Sequence, residues 1–175
     1  MKKTLIIIDM QNDFVYGSLA NPAAEAIIPN IKKKIEKYQK NNDEIIFTRD
    51  THNSDYLDTT EGKYLPVSHC IMGTSGWLTV DELNYPGYRH INKPTFGYKH
   101  WGYEFDTFDP EIEIVGTCTD ICVISNALIL KAEFPRAKII VDASCCAGLT
   151  PEKHKAALEV MKSCQIEVIN EVEDA

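Results

Sequence analysis

Short runs of β-branched and apolar residues, each followed by a stretch of helical periodicity, recur along the chain. Thr4 to Ile8 is one continuous run, the pattern of a strand buried on both faces of a parallel sheet. From Pro22 to about Asn41, Ala26, Ile27, Ile31, Ile35 and Tyr38 fall on one helical face, with the lysines of IKKKIEKYQK on the solvated face. Further strands are predicted over Glu44 to Thr48, Tyr88 to Ile91, Lys138 to Asp142 and Ile166 to Ile169. Ile112, Ile114 and Val115 stop at Gly116, after which Val123, Ile124, Ala127, Leu128 and Ile129 return at helical spacing. That segment reads strand, tight turn, helix. A last helix opens at Thr150-Pro151-Glu152 with Ala156, Ala157, Val160 and Met161 inward. Such alternation predicts a parallel sheet covered on both faces. Asn53 to Gly87 shows no clear periodicity, and a connection of that length is normally functional.

Composition narrows the class. A chain of 175 residues suits one domain, long enough to bury ~70% of the surface its unfolded form exposes. The hydrophobic fraction of 44% and charged fraction of 25% are ordinary for a globular protein. A net charge of -8 argues against nucleic acid or an anionic membrane as partner. Six cysteines at uneven spacings inside apolar runs suggest a reduced, cytoplasmic protein rather than a disulfide framework. The apolar run after Lys2 and Lys3 ends at Asp9, too short for a signal peptide, and no segment approaches the ~18 apolar residues of a membrane helix.

Candidate chemistry gathers where strands end. Thr119 and Asp120 can cap the helix after Gly116, which puts Cys122 in its first turn. There, free N–H groups and the positive end of the helix dipole favour a thiolate and can cradle an oxyanion. Asp9 and Lys93 end two other strands, and parallel strands present their carboxyl ends on one edge of the sheet. A carboxylate and an ammonium are what a cysteine nucleophile needs to lose its proton and hold its charge. Taken singly, Cys122 is also a small buried hydrophobe, Asp9 a cap and Lys93 a solvated charge. Asp50 and His52, one residue apart, with Glu61 and His69 in the following loop, suit zinc, iron or manganese. The alternative is four loop residues held by hydrogen bonds.

Asp9-Met10-Gln11-Asn12-Asp13-Phe14, Arg49-Asp50-Thr51-His52, Ser68-His69-Cys70, Lys93 and Gly116-Thr117-Cys118-Thr119-Asp120-Ile121-Cys122-Val123, in this order, resemble the isochorismatase-like cysteine hydrolases, specifically their nicotinamidase branch. The resemblance implies an α/β fold: a three-layer α/β/α sandwich around a mostly parallel six-stranded, Rossmann-like sheet. It implies a single domain over residues 1–175 with a metal-site loop at about 50–87. It also implies a hydrolase of carbon–nitrogen bonds in linear amides, converting nicotinamide and water to nicotinate and ammonia in pyridine nucleotide salvage.

In that family pattern Asp9 is the general base, Lys93 steadies the thiolate and Cys122 attacks the carboxamide carbon to form a thioester. A cis peptide between Thr117 and Cys118 would aim the N–H groups of Cys118 and Cys122 into the oxyanion hole. One divalent ion, zinc first and iron or manganese as alternatives, would sit on Asp50, His52, Glu61 and His69. Glu61 stands where many nicotinamidases have a further histidine, with Asp58 in reserve. Pro66 replaces an aromatic that often frames the ring, a role open to Phe14, Phe96, Tyr98 and Trp101, or to Trp77. The partners implied are a small-molecule amide and further copies of the chain, with no nucleic acid and no membrane. Two alternatives remain: an amidase for another small heteroaromatic or N-carbamoyl amide, and a binding module of the same fold without turnover.

Overall fold

The β-branched runs pair into one sheet in the computed structural model, which describes residues 2–172. Its strands are β1 (Lys3–Ile8), β2 (Glu44–Asp50), β3 (Arg89–Lys93), β4 (Glu111–Thr117), β5 (Lys138–Ala147) and β6 (Glu167–Ile169). Their order is β3-β2-β1-β4-β5-β6, and every neighbouring pair is parallel. That is the doubly wound order, whose direction of winding reverses between β1 and β4 and leaves a crevice at their carboxyl ends. The sheet is parallel throughout rather than mostly so.

The helices are α1 (Asn12–Val15), α2 (Pro22–Ala26), α3 (Ile28–Lys40), α4 (Thr60–Tyr64), α5 (Ile124–Glu133) and α6 (Pro151–Ser163). Successive residues of β1 serve opposite faces, since strand side chains alternate. Ile6 and Ile8 join Val123, Ala127 and Leu130 of the α5 side and Leu158 and Met161 of α6, while Leu5 and Ile7 join Ile28, Ile31 and Ile35 of α3. All four β1 side chains are fully buried, each contributing about 1.5–3 kcal/mol relative to exposure.

The structure corrects several expectations. The helix predicted from Pro22 divides at Ile27, because Pro29 lacks the N–H that would continue the α2 ladder and instead sits in the first turn of α3. That division turns Ala24 inward and leaves Ala26 exposed. In α6 the inward positions are Ala157, Leu158 and Met161, whereas Ala156 and Val160 face solvent. Lys34 is not on the solvated face of its lysine run: it reaches under α3 to Glu113 and Asp142, acidic groups on the covered side of the sheet that need a counter-charge. The 53–87 connection is not structureless; it contains α4 and three single helical turns. Strand β5 runs five residues past its predicted end because the β4–β5 register shifts at Gly116, re-pairing Gly116 with Cys146 and Thr117 with Ala147.

Gly116 makes this register possible. Its φ is +120°, and a Cβ there would stand 2.2 Å from the carbonyl oxygen of Ile8 on the adjacent strand. The strand that delivers the cysteine loop therefore lies against the strand that delivers Asp9 only while residue 116 has no side chain. Gly116→Ala is expected to cost about 2–3 kcal/mol or more, since strain and collision add. Gly87 also has positive φ, +87°, but nothing lies within 4 Å of its would-be Cβ, so Gly87→Ala should cost only about 1 kcal/mol. Urea unfolding of both variants checks this; an equal loss in the two would remove the collision with Ile8 as the cause.

Candidate active site

Four strand ends converge at the crevice. Asp9 follows β1, Asp50 ends β2, Lys93 ends β3, and Cys122 lies in the turn after β4. Asp9 and Lys93 are both fully buried, with Lys93 Nζ 2.6 Å from Asp9 Oδ2. Thr48 donates to Asp9 Oδ1 at 2.7 Å, while its hydroxyl and carbonyl both accept from the Asp9 N–H. These contacts hold Asp9 at φ +49°, a left-handed conformation that aspartate tolerates better than most residues. Lys93 also donates to the carbonyl of Thr95 at 3.1 Å. Burial pushes the Asp9 carboxyl up, against the opposing charge of Lys93. Lys93 itself stays charged, because Asp9, Cys122 and Asp50 outweigh the burial that would lower it.

Cys122 departs from its expected setting. Thr119–Val123 forms a wide turn, with the N–H groups of Ile121 and Val123 both donating to the carbonyl of Cys118, and α5 begins only at Ile124. Thr119 and Asp120 do not cap the helix. The Thr119 hydroxyl lies 2.7 Å from His154 Nδ1, and Asp120 accepts from the N–H of Leu149 at 3.0 Å. The thiol is not held low either: burial pushes it well up, Lys93 opposes, and Asp9 and Asp50 add to the rise. Cys122 at rest is thus a thiol that interacts with Asp9, and its reactivity depends on transfer of that proton. Cys118 also lines the cavity, its thiol pushed up to about 11, chiefly by burial. The Thr117–Cys118 peptide is cis.

Asp50, His52, Glu61 and His69 form a second cluster whose ligand-type atoms all lie within 4.8 Å of one another. Asp50 Oδ2 is 2.8 Å from His52 Nε2 and 3.4 Å from His69 Nε2, and Glu61 Oε1 is 3.6 and 3.8 Å from the same nitrogens. His69 Nδ1 is 2.8 Å from the carbonyl of Val67. A proton on Nδ1 there leaves Nε2 with its lone pair facing the carboxylates, the arrangement of a ligating histidine. Asp50 Oδ1 is buried without a hydrogen-bond partner, 3.8 Å from Lys93 Nζ. Burial and then the charge of Asp50 push the Glu61 carboxyl up, while Asp50 is held low despite its burial by hydrogen bonds to His52 and His69. Two carboxylates, two imidazoles and an orphaned oxygen fit a divalent cation. Asp58 is exposed and outside the group.

Two buried amides that the sequence did not single out hold these clusters in place. Gln11 donates to the carbonyls of Asp50 and Trp77 at 2.9 and 2.8 Å and accepts from the Asp50 N–H at 2.7 Å. Asn126 donates to the carbonyls of Cys122 and Phe96, and accepts from the Tyr98 N–H and the Trp101 indole. The sequence signal for Gln11 was its place in the Asp9-to-Phe14 motif, which said nothing of its partners; Asn126 had none beyond its polarity on a helix.

A cavity of about 560 Å³ opens over both clusters, lined by Asp50, Glu61, His69, Cys118 and Cys122 and walled by Phe14 and Phe96. Tyr98 and Trp101 do not line it, contrary to expectation. Trp101 is fully buried in the α5 core, where its indole serves Asn126, and the Tyr98 hydroxyl donates to Glu104. Trp77 lies under the Arg49 guanidinium, 3.9 Å from its ring centre, and likewise does not line the cavity. Leu19, Leu65, Ile121 and Leu149 complete apolar walls that the sequence did not indicate.

The Isochorismatase domain model matches residues 3–172. A nicotinamidase of Saccharomyces cerevisiae is 25% identical over 215 residues, covering 96% of this chain and 99% of that protein. A nicotinamidase of Schizosaccharomyces pombe is 29% identical over 210 residues, with 95% and 92% covered. Among solved structures, a pyrazinamidase of Pyrococcus horikoshii in complex with zinc superposes with a TM-score of 0.85 at 26% identity, covering 97% of this chain and 99% of that one.

The positions of Glu61 and Asp58 make the ion site testable. Glu61→Ala is expected to lower the bound divalent ion, measured by elemental analysis of purified protein, and Asp58→Ala to leave it unchanged. Loss on Asp58→Ala with full content in Glu61→Ala would transfer the role to Asp58.

Proposed function

We propose a function on the premise that this chain belongs to the isochorismatase domain family: it is a cysteine amidohydrolase that converts nicotinamide to nicotinate and ammonia. The observation that carries the reading is the buried Asp9–Lys93 pair beside Cys122, which lines one cavity together with Asp50, Glu61 and His69 of the ion cluster. The kinship with nicotinamidases supports the choice of substrate.

Asp9 takes the proton from Cys122 Sγ and becomes neutral, and the Lys93 ammonium stabilises the thiolate that is left. The thiolate sulfur bonds to the carboxamide carbon, and the N–H groups of Cys118 and Cys122 receive the oxyanion. Protonated Asp9 returns its proton to the amide nitrogen as the carbon–nitrogen bond breaks, so ammonia leaves and a thioester remains. Asp9 then takes a proton from water, the hydroxyl adds to the thioester carbon, and the sulfur departs as Cys122 regains its proton. Asp50, His52, Glu61 and His69 would hold a divalent ion, zinc by analogy with the Pyrococcus horikoshii complex, and such an ion would supply a Lewis acid able to orient the ring through its nitrogen. Phe14 and Phe96 bound that ring from the sides.

The cavity lining also favours this reading over an N-carbamoyl amino acid. Among the described residues lining it there is no lysine or arginine, and Asp50 and Glu61 make it acidic. Asp50 and Glu61 together would balance the two charges of a divalent ion, so the lining leaves no net positive charge for a substrate carboxylate. Absorption of a neutral aromatic amide meets no such penalty.

Ammonia release from nicotinamide by the purified protein tests the proposal, and absence of turnover with ion bound would overturn it. Cys122→Ala should abolish release with unchanged unfolding behaviour. Cys118→Ala keeps the backbone N–H and should retain most activity. Asp9→Asn and Lys93→Ala should lower kcat by about 10²–10⁴, and near-normal turnover in either would remove that residue from the mechanism. Benzamide, lacking the ring nitrogen, is expected to be hydrolysed far more slowly than nicotinamide, and chelation should narrow the gap between the two.

A further inference from the structure

The cavity is larger than the substrate proposed for it. A pyridine carboxamide fills about 150 Å³, roughly the space of five liquid waters, whereas the cavity holds about 560 Å³ and so falls in the range of about 300–1,000 Å³ that takes larger ligands. An ion held at Asp50, Glu61 and His69 would take only the part of the cavity that these residues line. Beside Cys122 the lining includes Leu19, Ala20, Pro22, Ile121 and Leu149, with Ser18 and Asn21 as the uncharged polar members of the same stretch.

That wall is apolar and built. Asn21 donates to the carbonyl of Gly148 at 2.9 Å, clasping the 18–22 turn to the loop after β5. Leu149, the next residue, donates its N–H to Asp120 in the turn that carries Cys122. Thus the wall is fixed relative to the nucleophile by hydrogen bonds rather than formed around a ligand. Its rim is exposed apolar surface: Leu149 is 50% exposed, Phe96 41% and Leu65 39%, all three lining the same mouth. Apolar side chains grouped around one opening gain by being covered, which scattered surface leucines do not.

Resting on the nicotinamidase reading, we infer that the site takes pyridine-3-carboxamides bearing an apolar substituent on the ring edge remote from both the nitrogen and the carboxamide, with Leu149 and its neighbours holding that substituent. Position 5 of the ring is meta to both anchored groups, so a short alkyl chain there leads away from the ion end and from Cys122. The wall offers it no charged group, so the chain must be neutral. The added affinity comes from desolvating the chain and the exposed rim together.

Binding to Cys122→Ala, in which no turnover occurs, separates affinity from chemistry. Titration calorimetry should show 5-propylnicotinamide bound more tightly than nicotinamide by about tenfold, below the full effect of three buried carbons because the rim stays partly wet. In the otherwise native enzyme, Leu149→Ser should lower the ratio of kcat/KM for the propyl compound to that for nicotinamide by a similar factor. Nicotinamide binding with the propyl compound excluded or no tighter would overturn the inference and leave the amidase reading standing. A ratio unmoved by Leu149→Ser would overturn the assignment of this wall. If neither amide bound, the reading beneath the inference would fail and the inference with it.

Discussion

The ion pair between Asp9 and Lys93 is the constraint around which the molecule is arranged. Both groups are fully buried, 2.6 Å apart, at the carboxyl ends of strands separated by β2. Removing two charges from water costs more than most folds recover from their attraction, so a pair like this contributes little to stability. Removing either partner alone would strand the other. The pair is explained by what lies beside it, a buried thiol whose proton needs an acceptor and whose conjugate anion needs a nearby cation.

Keeping such a pair in register requires that the backbone around it cannot drift. Parallel pairing fixes Asp50 and Lys93, which end their strands, but Asp9 and Cys122 lie beyond the ends of β1 and β4. Side-chain amides and hydroxyls take over there. Thr48 holds Asp9 from β2, Gln11 ties the segment after β1 to Asp50 at both its N–H and carbonyl, and Asn126 joins the Cys122 turn to the Phe96 loop. Each of these groups is buried and satisfied, so each is a rigid brace and not a desolvation penalty. Gly116 belongs to the same set, because only a bare backbone lets β4 approach Ile8.

Much of this was legible in the sequence, for identifiable reasons. Strands buried on both faces announce themselves as unbroken β-branched runs, so five of the six strands were found nearly to their ends; β5 ran longer because a register shift leaves no local trace. Helix faces were read less well where alanine decided them. Ala26 and Ala156 carry too little hydrophobic signal to fix the phase of a helix, and Pro29 broke the first one. The chemistry-bearing residues were legible through motif order, and the structure brings Asp9, Lys93 and Cys122 together and Asp50, His52, Glu61 and His69 together. Aromatics were not: a tryptophan that packs a core and one that frames a ligand look alike until the chain is folded. Gln11 and Asn126 escaped notice as braces because the carbonyls they satisfy are remote in sequence, and the caps assigned to Thr119 and Asp120 failed because partners beyond β5 engage both side chains.

The two clusters are also one electrostatic unit. Lys93 faces Asp9 at 2.6 Å and Asp50 at 3.8 Å, so a single ammonium serves the carboxylate beside the thiol and the carboxylate among the imidazoles. Glu61 adds a third carboxylate within the same few ångströms of Asp50's partners. With neutral histidines, three carboxylates against one ammonium leave an excess of two negative charges in a space largely shielded from water. The raised carboxyls of Asp9 and Glu61 express that excess, each being pushed toward its neutral form by burial and by Asp50. A divalent cation cancels it without protonating anything. It would free Glu61 and the imidazoles to act as ligands and leave Lys93 committed to Asp9, so loading one end of the crevice sharpens the acid–base pair at the other.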